Sequence, residues 1–158
     1  QFNHITATAV KGLDLYCLKA GKWQFVNSAI PTGKENHVTI VKNMLPQERE
    51  FMLYLPLYDG IDKLEIGIDP GAEIVASELN SPDREKPIVM YGTSILQGAS
   101  ASRPGMAATN IIGRRFDREV VNLGFSANAF LDKEIAELMS EVEASAYVLD
   151  FVPNASVS

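Results

Sequence analysis

The stretch Tyr91-Gly-Thr-Ser-Ile-Leu-Gln-Gly98 decides the fold of this chain. Residues 86–90, which precede it, end in an apolar run and predict a buried strand. Small residues, the turn Arg103-Pro-Gly105 and a helical pattern follow it. Ser94 therefore stands where a strand ends and a helix is about to begin. The chain before residue 80 has the pattern of a β domain, and the chain after residue 87 has the pattern of an α/β domain.

The second half of the chain alternates strand and helix patterns. Strands are predicted at residues 88–90, 119–122 and 146–149. Helices are predicted at residues 107–118 and 130–143, because apolar residues recur there with the spacing of one helix face. This order implies parallel strands with helices on both faces of the sheet. Functional sites in such sheets form at the carboxyl ends of the strands.

The first half carries short strand signals separated by turns. Gly12-Leu-Asp-Leu-Tyr16 and Trp23-Gln-Phe-Val26 flank the turn Lys19-Ala-Gly-Lys22 and predict a hairpin. We expect Asp14 to accept hydrogen bonds from buried backbone donors and Tyr16 to pack in the core. An edge strand or arm is predicted at residues 1–10, and further strands at 37–41, 50–58, 63–68 and 72–78. Such a series favours an antiparallel β-sandwich.

A polar segment with two prolines, residues 80–87, separates the two halves. We therefore predict a two-domain α+β fold. Its parts are a β-sandwich domain at residues 1–80, a linker at residues 81–87 and an α/β domain at residues 88–158.

Composition and charge exclude several classes of function. The net charge is −6 and the basic residues are scattered, which argues against a surface for nucleic acid or anionic membrane. No run approaches the roughly 20 apolar residues that a membrane span needs. The single cysteine, Cys17, lies in an apolar run and is expected to be buried and inert. No cluster has metal-ligand spacing, so we expect neither a metal nor a cofactor.

The first residue, Gln1, is not methionine, so we expect a processed or recombinantly trimmed protein. A removed signal peptide would fit this start, and with it a secreted or periplasmic location.

Three segments that follow strands carry groups suited to acyl transfer. A serine hydroxyl is a poor nucleophile until a base takes its proton, and the developing oxyanion needs preorganised donors. Ser94 supplies a hydroxyl, Asn154 a side-chain amide, and the loop Gly124-Phe-Ser-Ala-Asn128 backbone N–H groups. A parallel sheet would bring these segments together. The plainer alternative makes Ser94 a helix N-cap and Asn154 a turn residue.

These residues resemble the SGNH (GDSL-type) hydrolases. The first block of that family is similar to Gly92-Thr-Ser-Ile95, and its second block to Asn122-Leu-Gly-Phe-Ser-Ala-Asn128. The third block is similar to Asp150-Phe-Val-Pro-Asn154. Gly12-Leu-Asp-Leu-Tyr16 is similar to the GxDLY motif of a β-sandwich domain found ahead of SGNH esterase domains. The four similarities occur in the family's order and span nearly the whole chain.

The resemblance implies a jelly-roll-like β-sandwich followed by the first part of a flavodoxin-like, three-layer α/β SGNH domain. It also implies that Ser94 is the nucleophile. The oxyanion hole would be formed by the N–H of Ser94, a main-chain N–H in the second block and the side chain of Asn154. The family's glycine in the second block falls at Ala127, which can donate its N–H only if its backbone angles tolerate a Cβ.

The family's Asp-x-x-His block has no counterpart in these residues. The two histidines, His4 and His37, lie in the predicted β domain and are expected to be structural or surface residues. We therefore expect a truncated member of the family with little or no esterase activity by itself, since loss of triad members leaves residual catalysis.

Two functions from different classes remain open. The first is a serine esterase that removes acyl groups, acetyl among them, from carbohydrates or similar small esters. The second is a carbohydrate- or protein-binding β-sandwich beside an incomplete α/β scaffold. In the first case the partner is a small ester or acylated carbohydrate. An open edge of the parallel sheet would expose apolar surface, so homo-oligomers through that edge are also expected.

Overall fold

The computed structural model describes residues 3–77 and 86–155. Most of the predicted linker, 81–87, lies outside these residues, so the domain bounds stay predictions. The described residues form an antiparallel sheet of three strands and, later in the chain, a parallel sheet of three strands. The α+β class is therefore confirmed.

The first sheet is built on the predicted hairpin. Strand β1 (Leu13–Lys19) pairs antiparallel with β2 (Lys22–Ala29), and β3 (Phe51–Tyr54) pairs with the other edge of β1. Two residues connect β1 to β2, Ala20 at φ 49° and Gly21 at φ 72°. A two-residue hairpin turn with positive φ at both central residues has a twist that matches the twist of the flanking strands.

Residues 7–11 are helical and residues 3–6 form no strand, which corrects the edge strand or arm predicted at residues 1–10; residues 1 and 2 lie outside the described residues. Helix α1 covers Ala7–Lys11, and the Thr6 hydroxyl caps it by accepting the Ala9 N–H at 3.2 Å. A five-residue helix is too short to show a periodic pattern, so the cap residue was its main signal.

The predicted sandwich is not confirmed, because residues 3–77 form a single sheet. The predictions at 37–41 and 63–68 were wrong, since neither segment is a strand, and residues 72–77 are not a strand either. Residue 78 lies outside the described residues. Alternation in 63–68 marks a face that could be buried, but Leu64, Ile66 and Ile68 are exposed and pair with no strand there. The predicted strand at 50–58 ends at Tyr54, two residues before a proline that cannot donate to a ladder.

The strands of the second sheet are parallel, as predicted. Strand β4 (Ile88–Gly92) lies between β5 (Val120–Gly124) and β6 (Ala146–Asp150), and both pairings are parallel. Three helices follow along the chain: α2 (Ser94–Gln97), α3 (Ala108–Phe116) and α4 (Lys133–Ser140). The strands and the two longer helices confirm the predicted elements. Helix α4 begins later than predicted, because Leu131 has φ 63° and cannot belong to a right-handed helix.

Helices cover both faces of this sheet, as predicted. On one face the core consists of Val89 and Tyr91 from β4 with Ala129 and Met139, and it includes residues of α4. On the other face, Asn122 of β5 contacts α2 and α3. Its side-chain amide donates to the Leu96 carbonyl at 3.2 Å and to the Thr109 hydroxyl at 2.9 Å.

Asp14 joins the two sheets. Its carboxylate is fully buried and accepts three hydrogen bonds: from Arg103 Nη1 at 2.8 Å, from the Gly105 N–H at 2.7 Å and from the Ser28 hydroxyl at 2.6 Å. Arg103 and Gly105 belong to the turn between α2 and α3. These hydrogen bonds therefore fix that turn to β1. The prediction of a buried Asp14 bound to backbone donors is confirmed.

Tyr16 lines the same junction and is buried, as predicted. A Cβ added to Gly105 would lie 2.5 Å from Tyr16 Cε2, so only glycine allows the turn to approach the ring this closely. Arg103 lies over the Phe25 ring at 3.8 Å and also donates to the Tyr16 hydroxyl at 2.8 Å. Cys17, on the same strand, is half-buried rather than buried.

Candidate active site

Ser94 is the first residue of α2, directly after β4 and one capping residue. The cap is Thr93, whose hydroxyl accepts the Ile95 N–H at 3.3 Å. The alternative that Ser94 itself is the N-cap is therefore wrong, and its hydroxyl is not used for capping. The Ser94 N–H lies in the first turn, where amides have no partner within the helix. Both groups can therefore serve another purpose.

The glycine before this turn is required by packing. A Cβ at Gly92 would lie 2.8 Å from the Asp150 carbonyl oxygen and 2.8 Å from Leu96 Cδ2. The Thr93 N–H also donates to the Asp150 carbonyl at 3.2 Å. The end of β4 is thus held against the end of β6, where the third predicted block begins.

The second block is tied to the first by backbone hydrogen bonds. The Phe125 N–H donates to the Gly92 carbonyl at 2.8 Å, and the Asn128 N–H donates to the Phe125 carbonyl at 3.0 Å. Within this turn Ala127 has φ 59°, in the left-handed region. The left-handed conformation costs a residue with a Cβ about 1–2 kcal/mol, whereas glycine adopts it without this cost. Ala127 is the residue at which we predicted the family's glycine, and it has a backbone conformation that favours glycine.

Asn154 ends a short 3₁₀ helix, Val152–Asn154, that follows β6. Its side-chain nitrogen Nδ2 is buried and has no hydrogen-bond partner among the described residues. A buried, unpaired amide donor is rare, because it loses its hydrogen bond to water without a replacement. Strands β4 and β6 run in register, with Gly92 beside Asp150, so Ser94 and Asn154 follow neighbouring strand ends.

Gln97, at the end of α2, connects three segments. Its Oε1 accepts the Ser126 N–H at 3.0 Å, and its Nε2 donates to the Leu57 carbonyl at 3.1 Å. Helix α2 is therefore bonded both to the second block and to the chain after β3. We did not predict this role from the sequence. The only signal in the sequence was that Gln97 is a polar residue directly after two apolar residues of α2.

Tyr58 is a second residue whose contacts with these segments we did not predict from the sequence. Its hydroxyl donates to the Ser94 carbonyl at 3.1 Å. Burial raises the pKa of Tyr58 above its ordinary value, although a hydrogen bond with the Ser126 side chain acts in the opposite direction. A residue of the N-terminal half thus contacts both the first and the second block.

The histidines do not belong to these segments. His4 and His37 are both exposed and lie in the N-terminal half. Within residues 3–77 and 86–155, no group of three or more His, Cys, Asp or Glu is arranged to hold a metal ion. No helix in the described part of the chain is long and apolar enough to cross a membrane.

Ser94 thus follows the central strand of a parallel α/β sheet, and the other two blocks follow the strands on either side of it. Residues 85–158 match the model of the GDSL-like Lipase/Acylhydrolase family. Residues 1–74 match the model of the N-terminus of Esterase_SGNH_hydro-type proteins, the GxDLY family. The chain belongs to the GDSL-like (SGNH) lipase and esterase family.

One solved structure supports this assignment over nearly the whole chain. It is the crystal structure of a protein described as a GDSL-like lipase from Bacteroides ovatus ATCC 8483. The two sequences are 46% identical, the TM-score is 0.92, and the match covers 99% of this chain. It covers 45% of the other chain, so this chain spans less than half of that protein's length. No curated protein matches this chain.

Proposed function

We propose that this chain carries the nucleophile and the oxyanion hole of a serine esterase. The observation that carries the proposal is the buried Nδ2 of Asn154, which has no hydrogen-bond partner among the described residues and lies after the strand next to the one that leads into Ser94. An amide donor without a partner in the free protein is what an oxyanion hole requires. Its hydrogen bond forms only when negative charge develops on the substrate oxygen.

In the proposed reaction the Ser94 hydroxyl oxygen attacks the ester carbonyl carbon, and a general base takes the hydroxyl proton. The carbonyl oxygen becomes an oxyanion that accepts hydrogen bonds from the N–H groups of Ser94 and Ala127 and from Asn154 Nδ2. Collapse of this intermediate releases the alcohol and leaves an acyl-enzyme on Ser94. Water then hydrolyses the acyl-enzyme.

We propose short acyl esters, acetyl among them, of carbohydrates or similar alcohols as substrates. The support for ester substrates is the match of residues 85–158 to the GDSL-like Lipase/Acylhydrolase family model.

The test is hydrolysis of p-nitrophenyl acetate by the protein at its natural length. Ser94→Ala is expected to reduce kcat to the background rate. Ser140→Ala, which replaces an exposed serine at the end of α4, is expected to leave kcat unchanged. Equal activity of Ser94→Ala and the natural protein would contradict the proposal.

We further propose that the 158-residue chain alone has at most residual activity. The support is that both of its histidines are exposed and lie outside the three blocks. A fluorophosphonate probe is then expected not to label Ser94 in this chain. Robust labelling that Ser94→Ala abolishes would show that a base is supplied, for example by another subunit.

Strand β6 supports self-association of this chain as a further proposal. It is an edge strand of the sheet that the described residues form, and Tyr147 and Leu149, which lie on the same face, are 48% and 56% exposed. An exposed apolar edge strand pairs readily with another chain. Light scattering at about 50 μM, well above the micromolar Kd of a weak but specific dimer, is expected to report a dimer or larger species. A monomer at that concentration would contradict this proposal.

The exposed face of Leu64, Ile66 and Ile68 favours a second candidate function, a carbohydrate- or protein-binding module. On that view the predicted sandwich would form only when another strand covers these residues. Ester hydrolysis that depends on Ser94 would favour the esterase over this candidate.

A further inference from the structure

The segment after β3, residues 55–58, is bonded to both halves of the molecule. On one side, the Leu57 N–H donates to the Ala9 carbonyl at 3.0 Å. On the other side, the Leu57 carbonyl accepts Gln97 Nε2 at 3.1 Å. A Cβ at Gly98 would lie 2.7 Å from Leu57 Cδ1, so the two segments are in tight contact. The backbone that carries Tyr58 is therefore fixed relative to α2.

From this fixed backbone the Tyr58 side chain reaches the site. Its hydroxyl donates to the Ser94 carbonyl at 3.1 Å and shares a hydrogen bond with the Ser126 side chain. Ser126 directly precedes Ala127. One hydroxyl therefore connects the residue proposed as nucleophile to the turn proposed to supply an oxyanion donor.

We propose that Tyr58 is a positioning residue, which fixes the spacing between the N–H groups of Ser94 and Ala127 through these two hydrogen bonds. The inference rests on the proposed esterase function and adds the N-terminal half to the site. An oxyanion hole depends on its donors being in place before charge develops. A hydroxyl that holds two of the segments together would therefore act mainly on the transition state and little on substrate binding.

Tyr58→Phe isolates this role, because phenylalanine keeps the ring and removes only the hydroxyl. The net value of one such hydrogen bond corresponds to a loss of about three- to tenfold in kcat if it is fully expressed in the transition state. KM is expected to stay within about twofold, since a group that does not touch substrate contributes no uniform binding.

Tyr54→Phe is the matched control. Tyr54 ends β3, and its hydroxyl donates to the Asn110 carbonyl at 3.4 Å. Asn110 belongs to none of the three blocks. This variant also loses one tyrosine hydroxyl bonded to a backbone carbonyl. It is expected to keep kcat.

The experiment measures kcat, KM and the thermal midpoint for the protein at its natural length, for both variants and for Ser94→Ala. A lower kcat in Tyr58→Phe, with KM and the midpoint unchanged and Tyr54→Phe unaffected, supports the inference. An unchanged kcat in Tyr58→Phe would overturn it, as would an equal loss in both variants. Retained activity in Ser94→Ala would instead overturn the proposed function.

Discussion

Replacing Asp14 by alanine is expected to destabilise the whole chain, because one buried carboxylate joins its two sheets. The substitution leaves the guanidinium of Arg103 without its carboxylate, and it leaves the Gly105 N–H and the Ser28 hydroxyl without their acceptor. Removing one partner of a buried, hydrogen-bonded ion pair typically costs about 3–5 kcal/mol. That is a large part of the roughly 5–15 kcal/mol by which a domain is stable.

The assay is urea unfolding followed by circular dichroism and by tryptophan fluorescence. With a slope of about 1.5 kcal/mol per molar urea, the expected loss moves the midpoint down by about 2 M or more. Asp14→Asn keeps the shape and one acceptor oxygen, so it is expected to lie between the natural protein and the alanine variant. Trp23 lies in β2, beside the strand that carries Asp14, and reports on the first sheet directly.

Asp59→Ala is the control for the loss of an aspartate paired with a cation. Asp59 pairs with Lys11 at the surface, where both side chains are largely exposed, and such pairs contribute little. It is expected to leave the midpoint unchanged. A midpoint for Asp14→Ala close to that of Asp59→Ala would refute the claim that Asp14 holds the sheets together.

Three further outcomes are expected. Ala127→Gly relieves a left-handed alanine and should raise the free energy of unfolding by about 1 kcal/mol, whereas Ala155→Gly, at φ −69°, should not raise it. Asn154→Ala should lower kcat about 10²- to 10³-fold in the protein at its natural length, as loss of an oxyanion donor does, and an unchanged kcat would remove it from the site. Burial raises the pKa of Tyr54 in the folded state, so its contribution to stability is present below its ordinary value of about 10 and is lost as pH rises through the folded pKa. As the pH is raised past about 10, the free energy of unfolding measured in urea should therefore fall less in Tyr54→Phe than in the natural protein, and an equal fall would count against the shift.

The parallel half of the fold was predictable because its signals are local and repeated. The apolar run at β4 and the periodic faces of α3 and α4 each specify an element by themselves. Their alternation then leaves few topologies. The late start of α4 was not predictable, since it depends on the left-handed backbone of Leu131 rather than on hydrophobic pattern.

The first half was harder because strand formation depends on a partner. The hairpin has its own turn chemistry in Ala20-Gly21, so it was found. Residues 63–68 have the alternation of a strand, but alternation does not identify what would pair with them. In the described residues nothing pairs with them, and they are exposed and belong to no strand.

Part of the site could be read from the order of its blocks along the chain. Ser94, Ala127 and Asn154 all follow strands. Because the strands are parallel, the three segments lie at the carboxyl ends of the strands. Their catalytic roles stay predictions. Gln97 and Tyr58 could not be found this way, because their contacts join segments far apart in sequence and neither residue carries a motif.

The most direct test of the central claim is to map the adduct of a fluorophosphonate probe on the protein at its natural length. After labelling, tryptic peptides are identified by mass spectrometry. We predict a single adduct on Ser94, which disappears in Ser94→Ala and persists in Ser140→Ala. An adduct on a different serine, or labelling that survives Ser94→Ala, would contradict the assignment of Ser94 as the nucleophile.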